Sequence, residues 1–190
     1  MEEKVACVEC GSLVSASFAR RMKGLCVSCK TKQRTANPFS LLYASLIQRV
    51  HDSPEGFAAL SPAEQLYYSL NLFRNEVNNG GFHQFFFNSS GSYYDLIETA
   101  LVSLNEPQYL DLLHRAKEIV LPGMAVPSEW KRRRELLPIE QPGNPQPDWR
   151  REIGELDRIF YSMPDTLTPK LQAFATEKGL VPAEVEGERA

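Results

Sequence analysis

Four cysteines constrain this chain more than any other feature. "CVEC" places Cys7 and Cys10, and "CVSC" places Cys26 and Cys29, with fifteen residues between the pairs. Two residues between cysteines let the backbone curl so that both sulfurs reach one ion, and Gly11 directly after the first pair eases the tight turn. The spacer has room for a hairpin that returns the second pair to the metal. Four thiolates then complete a tetrahedron with no open position, which is the arrangement of a structural Zn2+ site and not a catalytic one. A redox C-x-x-C would stand once and beside a βαβ pattern, and haem attachment needs a His where Gly11 and Lys30 stand.

Such a module, residues 1–36, is too short to bury much apolar surface, so metal binding supplies most of its folding free energy. It is also basic. Up to Asn37 seven Lys or Arg face three Glu, a balance of +4, whereas the remainder holds 14 against 21, a balance of -7. Arg20, Arg21, Lys23, Lys30, Lys32 and Arg34 suit phosphate contact, but Phe18 is the module's only aromatic residue, so it offers no stacking platform for single strands.

From residue 37 to about 180 the apolar spacing is helical. Asn37 caps a helix with Pro38 at its first position and a stripe of Phe39, Tyr43, Leu46, Ile47 and Val50. Ser61, Pro62 and Glu64 form a capping box ahead of Leu66, Leu70, Phe73 and Val77, and Asn79 with Gly80 supply a stop. Ser92 with Asp95 reads as another capped start, for Tyr93, Ile97, Leu101 and Leu104. Pro107 opens a helix whose apolar face is Tyr109, Leu112, Leu113, Ala116 and Val120.

Two proline-rich connectors flank "KRRREL", whose cations read as a solvated face beside Trp130 and Leu136; a nucleic-acid patch or an acidic partner are the other readings. Trp149, Ile153, Leu156 and Phe160 share a later face, as do Leu167, Leu171 and Phe174. Residues 181–190 read as a flexible tail. With strands expected only around the metal, the prediction is an all-α helical domain, an orthogonal bundle, behind a zinc-ribbon or treble-clef-like module.

No apolar run approaches the roughly 20 residues that cross a bilayer, and the acidic start is no signal peptide, so a cytoplasmic protein is expected. In that reducing compartment cysteines serve as metal ligands more readily than as disulfides.

The stretch "NEVNNGGFHQFFFNSSG", Asn75 to Gly91, packs amides, a glycine pair and four phenylalanines into seventeen positions. A break at Gly80 and Gly81 with a new helix from Phe82 would put Phe82, Phe85 and Phe86 on one face and Phe87 beside His83. The amides of Asn75, Asn78, Asn79 and Asn88 would then satisfy the peptide groups freed at the corner. The catalytic alternative pairs Glu76 as a base with His83, but no nucleophile stands nearby. His114 reads as a surface ion pair with Asp111 or Glu118.

This same stretch, following "LYYSLNLFRN", resembles the bacterial DNA-mimic protein family over roughly Pro38 to Phe174. The resemblance implies an all-helical, commonly dimeric protein whose acidic surface imitates DNA phosphates on the DNA-binding face of a transcriptional regulator. Related domains look like components of bacterial toxin and immunity loci.

The leading expectation is therefore a non-enzymatic interaction protein whose acidic body binds and inhibits a DNA-binding regulator or a nucleic-acid-directed toxin. The second is a zinc-ribbon nucleic-acid-binding adaptor. The third is an enzyme centred on Glu76 and His83.

Overall fold

The computed structural model describes residues 3–138 and 148–181, the side chains of 33–36 excepted. Part of the second proline-rich connector (139–147), the tail beyond Val181 and the basic side chain of Arg34 therefore lie outside the described residues. Val181 itself is buried. The chain divides into two compact units, Met1–Gln48 and Arg49–Ala190.

The first unit opens with strands β1 (Lys4–Ala6) and β2 (Leu13–Ser15), paired antiparallel with Val5 opposite Val14. Between them Cys7 N–H donates to Ser12 O and Gly11 N–H to Cys7 O, both at 2.9 Å, with Gly11 in the left-handed region at φ 72°. That conformation costs a glycine little and other residues more. Helix α1 (Ala16–Arg21) starts where the Ser15 side chain accepts from Phe18 N–H. Helix α2 (Val27–Ala36) starts at Cys26, whose sulfur accepts from Cys29 N–H. The buried core is small: three of the cysteines and Leu25, with Val14 against them.

Helix α3 (Pro38–Asp52) spans the division between the units. The Asn37 side chain caps it, accepting from Phe39 N–H at 2.9 Å and Ser40 N–H at 3.1 Å. Of the expected stripe Leu46 is fully buried, and Phe39, Tyr43, Ile47 and Val50 are half-buried.

The second unit is organised around α4 (Pro62–Phe87), which touches α5 (Tyr94–Ser103), α6 (Pro107–Val120), α7 (Trp130–Leu136), α8 (Asp148–Ser162) and α9 (Leu167–Glu177). The capping box is present in full, with Ser61 N–H on Glu64 and Glu64 N–H on Ser61. The apolar face of α6 is buried at all five expected positions, and Ile153, Leu156 and Phe160 of α8 are buried too. Phe73, Phe82 and Phe160 pack edge-on or tilted at 5.6–6.2 Å between centroids, and Phe85 meets Phe73 edge-on at 5.1 Å. Such geometry sets the positive edge of one ring on the negative face of the next. Buried Glu106, just ahead of α6, takes Thr166 Oγ1 and Lys170 Nζ at 2.9 Å each, which ties that helix start to α9.

The expected stop is present: the helical path of α4 breaks after Asn79, at Gly80 (φ -155°, ψ 21°) and Gly81 (φ 77°, ψ -178°), and a new helical run begins at Phe82. One expected helix signal acts differently. Ser92 does not cap α5; a short 3-10 turn, Ser89–Tyr93, precedes that helix, and the Ser92 hydroxyl donates to Ser128 O at 2.5 Å. The physical reason is that the Ser92 hydroxyl is engaged by tertiary partners, Ser128 O and Arg133 Nη1, and not by the local backbone.

Candidate functional site

The sulfur atoms of Cys7, Cys10, Cys26 and Cys29 lie within 4.8 Å of one another, three of the residues buried and Cys10 exposed. Cys26 N–H points at Cys7 Sγ (3.2 Å), and the Cys10 and Cys26 sulfurs stand 3.6 Å apart. A tetrahedral ion with metal–sulfur bonds of about 2.3 Å requires sulfurs roughly 3.8 Å apart. The cluster is close to that spacing, so the four cysteines can hold a metal ion.

Electrostatics point the same way. Backbone N–H groups of Cys10, Cys26 and Glu9 hold the Cys7 thiol down to about 6. Cys29 is pushed upward, chiefly by hydrogen bonding with the Cys10 and Cys26 side chains. Sulfurs this close cannot all ionise by themselves, and a divalent cation removes that repulsion.

The double-glycine corner turns the chain from the surface into the core: Asn78, Asn79 and Gly80 are exposed, and Gly81 is buried. Phe82, Phe85 and Phe86 are all 0% exposed, and Phe87 stacks beside His83 at 6.1 Å. The freed peptide groups are not satisfied by the asparagines, however. Phe82 N–H donates to Asp157 Oδ1 of α8 at 2.8 Å, and a Cβ on Gly81 would lie 2.6 Å from the carbon of that carboxylate. Gly81 thus has two reasons to be glycine, its torsion angles and the acid pressed against its α-carbon. Asn78 instead donates back to Arg74 O (2.7 Å).

Glu76 and His83 have separate engagements. Glu76 Oε2, before the corner, accepts from Gln84 Nε2 (2.8 Å) and Asn88 Nδ2 (2.9 Å) beyond it, stapling the two halves of α4. The His83 ring stacks on Trp149 at 5.0 Å with Nε2 facing Pro138 O at 3.2 Å, and burial lowers its pKa. Asn75 and Asn78 do line a polar recess of about 300 Å³ with Arg74, Tyr109 and Asp165, but neither Glu76 nor His83 belongs to its lining.

The run Lys131–Arg134 is not a uniformly solvated face. Lys131 and Arg132 are exposed, but Arg133 is 0% exposed and inserts into the end of α4. Its Nε donates to Phe86 O (2.6 Å), Nη2 to Asn88 O (2.5 Å) and Nη1 to Pro127 O (2.6 Å). Arg134 Nε donates to Phe87 O (2.8 Å), and its guanidinium lies 3.9 Å from the Phe87 ring centre and 4.6 Å from that of Trp130. These arginines meet the carbonyls that a helix leaves unpaired at its C-terminus, where the dipole favours cations.

Four of the acidic residues stand on α5 and α6, Asp95, Glu98 and Glu118 about one recess and Asp111 about another. Three of the four have a basic neighbour. His114 Nε2 meets Glu98 at 2.5 Å, Arg115 meets Asp111 at 3.2 Å and Lys117 meets Glu118 at 2.6 Å. His114 thus pairs across to α5 and not with the acids of its own helix. Glu118 is held below the usual carboxylate range by Lys117 and then by Gly123 N–H. Burial, followed by the charges of Glu98, Asp95 and Glu118, pushes the Tyr94 phenol up to about 12.

Sequence reasoning missed Asp157, Arg133 and Tyr94. Each sat in a helical period as one more polar or apolar position, and nothing local announced its distant partner. No helix among the described residues is long and apolar enough to cross a membrane.

Residues 58–178, more than half of the chain, match the family model described as DMP19-like protein; the cysteine module lies outside that match. No curated protein and no solved structure matches the chain.

Proposed function

Because the chain belongs to the DMP19-like protein family, we propose that it works as a DNA mimic, binding another protein through the acidic residues of α5 and α6 and blocking that partner's contact with nucleic acid. The partner class is a DNA-binding regulator or a nucleic-acid-directed toxin, and the role is inhibition without catalysis. The observation that carries this reading is the family match joined to the clustering of Asp95, Glu98 and Glu118 around Tyr94. Complementary charge speeds encounter, and buried apolar contacts hold the complex. Glu76 and His83, each bound to its own neighbours, support an architectural role for the corner.

In the N-terminal unit the fitting ion is Zn2+, bound by Cys7, Cys10, Cys26 and Cys29 as a structural centre. Zinc would supply charge neutralisation and cross-linking there. The chain's own part is to set Gly11 in its turn and to aim the Cys26 N–H at sulfur.

The test is capture of the partner by the intact chain at increasing salt, followed by a DNA competition assay with the captured protein. Binding should fall steeply with salt and be lost when Asp95, Glu98, Asp111 and Glu118 are changed together to lysine. A complex indifferent to both treatments ends the mimicry reading. The exposed Arg20, Arg21, Lys23 and Lys32 favour a second reading, a zinc-ribbon adaptor that touches nucleic acid directly. A gel-shift titration of the intact chain at low salt separates the two, since only the adaptor shifts the probe in a strongly salt-dependent way.

A further inference from the structure

Helices α5 and α6 and the segment 123–126 border an open recess of about 400 Å³. Tyr94, Asp95, Glu98 and Glu118 line it on one side, and Met124 and Val126 give it an apolar patch. Glu118 also shapes it, because its Oε2 accepts from Gly123 N–H at 3.1 Å and holds the segment in place.

Three observations restrict what this recess can take. Tyr94 is only 7% exposed, yet its hydroxyl has no hydrogen-bond partner among the described residues. Nor is that hydroxyl sealed away, since Glu106 Oε1 is the one fully enclosed side-chain polar atom without a hydrogen bond among them. The phenol oxygen therefore opens on the recess it lines. With no protein partner of its own among the described residues, that oxygen is free to accept a hydrogen bond from whatever enters the recess.

Second, the recess is anionic: three carboxylates face the single ammonium of Lys117 when His114 is neutral. Third, those carboxylates do not converge on one point. Among the described residues the four cysteines are the one group of potential ligands close enough to hold a metal ion. The recess is thus too wide for a bare cation, and its acceptors are spread about an apolar patch and an aromatic ring.

A guanidinium fits this description better than an ammonium. It carries five N–H donors in a plane, is weakly hydrated and lies readily against aromatic and apolar surface. The existing pairs do not block it. His114, Glu98 and Glu118 are well exposed, such pairs are weak in water, and each carboxylate has lone pairs to spare.

We propose that the recess bounded by Tyr94, Asp95, Glu98, Glu118 and Met124 is the receptor for an arginine side chain of the partner protein. The identity of that arginine's owner rests on the mimicry reading above, but the recess itself is testable without any partner.

The experiment is an NMR titration of the intact chain, methyl-labelled at methionine, with N-acetyl-arginine methylamide and with its lysine counterpart. The Met124 methyl signal should move and saturate with the arginine probe and bind the lysine probe several-fold more weakly. Removing the phenol oxygen by Tyr94→Phe should weaken the arginine probe by about ten-fold, the scale of one hydrogen bond from a charged donor. Glu98→Gln with Glu118→Gln should weaken it by about ten-fold or more, as expected for charge-assisted bonds. Glutamine at 118 keeps the acceptor for Gly123 N–H. Equal saturation by both probes, unsaturable drift, or indifference to both variants would overturn the proposal. Because no partner enters the titration, its outcome is independent of the capture experiment.

Discussion

Arg133 Nε donates to Phe86 O at 2.6 Å across 47 residues of chain, and a Cβ on Gly91 would lie 2.7 Å from that nitrogen. The two facts describe one device: a fully buried guanidinium closes the C-terminal end of α4, and a glycine makes room for it. Among the described residues no carboxylate forms an ion pair with this guanidinium. Backbone carbonyls of Phe86, Asn88 and Pro127 accept its hydrogen bonds instead.

Arg133→Met should therefore destabilise the helical unit by about 3 kcal/mol, because buried acceptors lose their donors while little apolar contact is gained. Arg133→Lys should recover less than half of that loss, since one ammonium cannot fork to three carbonyls. Urea midpoints of the two variants against the parent check the ordering.

Gly81→Ala should cost about 2 kcal/mol or more, combining a backbone region nearly restricted to glycine with collision against Asp157. Gly154→Ala is the internal contrast. It sits inside α8 with open space where its Cβ would go, and should stabilise by about 0.5–1 kcal/mol. Thermal melts of both variants should move in opposite directions.

Burial raises the Asp157 carboxyl above its ordinary value, opposed by Phe82 N–H and by His83. A raised folded value means the native state holds its proton longer than the unfolded chain. Ionised Asp157 thus costs stability at neutral pH, and this cost fades as pH falls from the folded value toward the unfolded one of about 3.9. Asp157→Asn keeps an acceptor for Phe82 N–H without the charge. The difference in stability between the Asp157→Asn variant and the parent should be largest at pH 7 and shrink on acidification through that window. A difference that grows instead would reverse the sign of the argument.

Removal of the metal should act on one unit only. Chelation, or Cys26→Ser, should abolish the ordered signals of the N-terminal unit while the helical unit, with its own apolar core, retains its melting transition. Metal analysis before and after, with hydrogen exchange resolved by residue, checks it. A single shared transition would show that the two units fold together.

Most of what depends on near neighbours was legible in the residues alone; Ser92, whose hydroxyl goes to Ser128 O and not to the start of α5, is the exception. The cysteine quartet was readable because ligand spacing is a local matter, Asn37 and the Ser61–Glu64 box because caps bond two or three residues away, and the buried faces of α6 and α8 because a 3.6-residue period selects a side. It took the packed helices to reveal that Asp157 serves Phe82 from 75 residues away, that one arginine of a basic run turns inward, and that the Tyr94 hydroxyl is left open among three carboxylates. A period states which face of a helix is covered. It does not state which distant group covers it, because a long-range hydrogen bond has no local signature and its partner is chosen only when the elements pack.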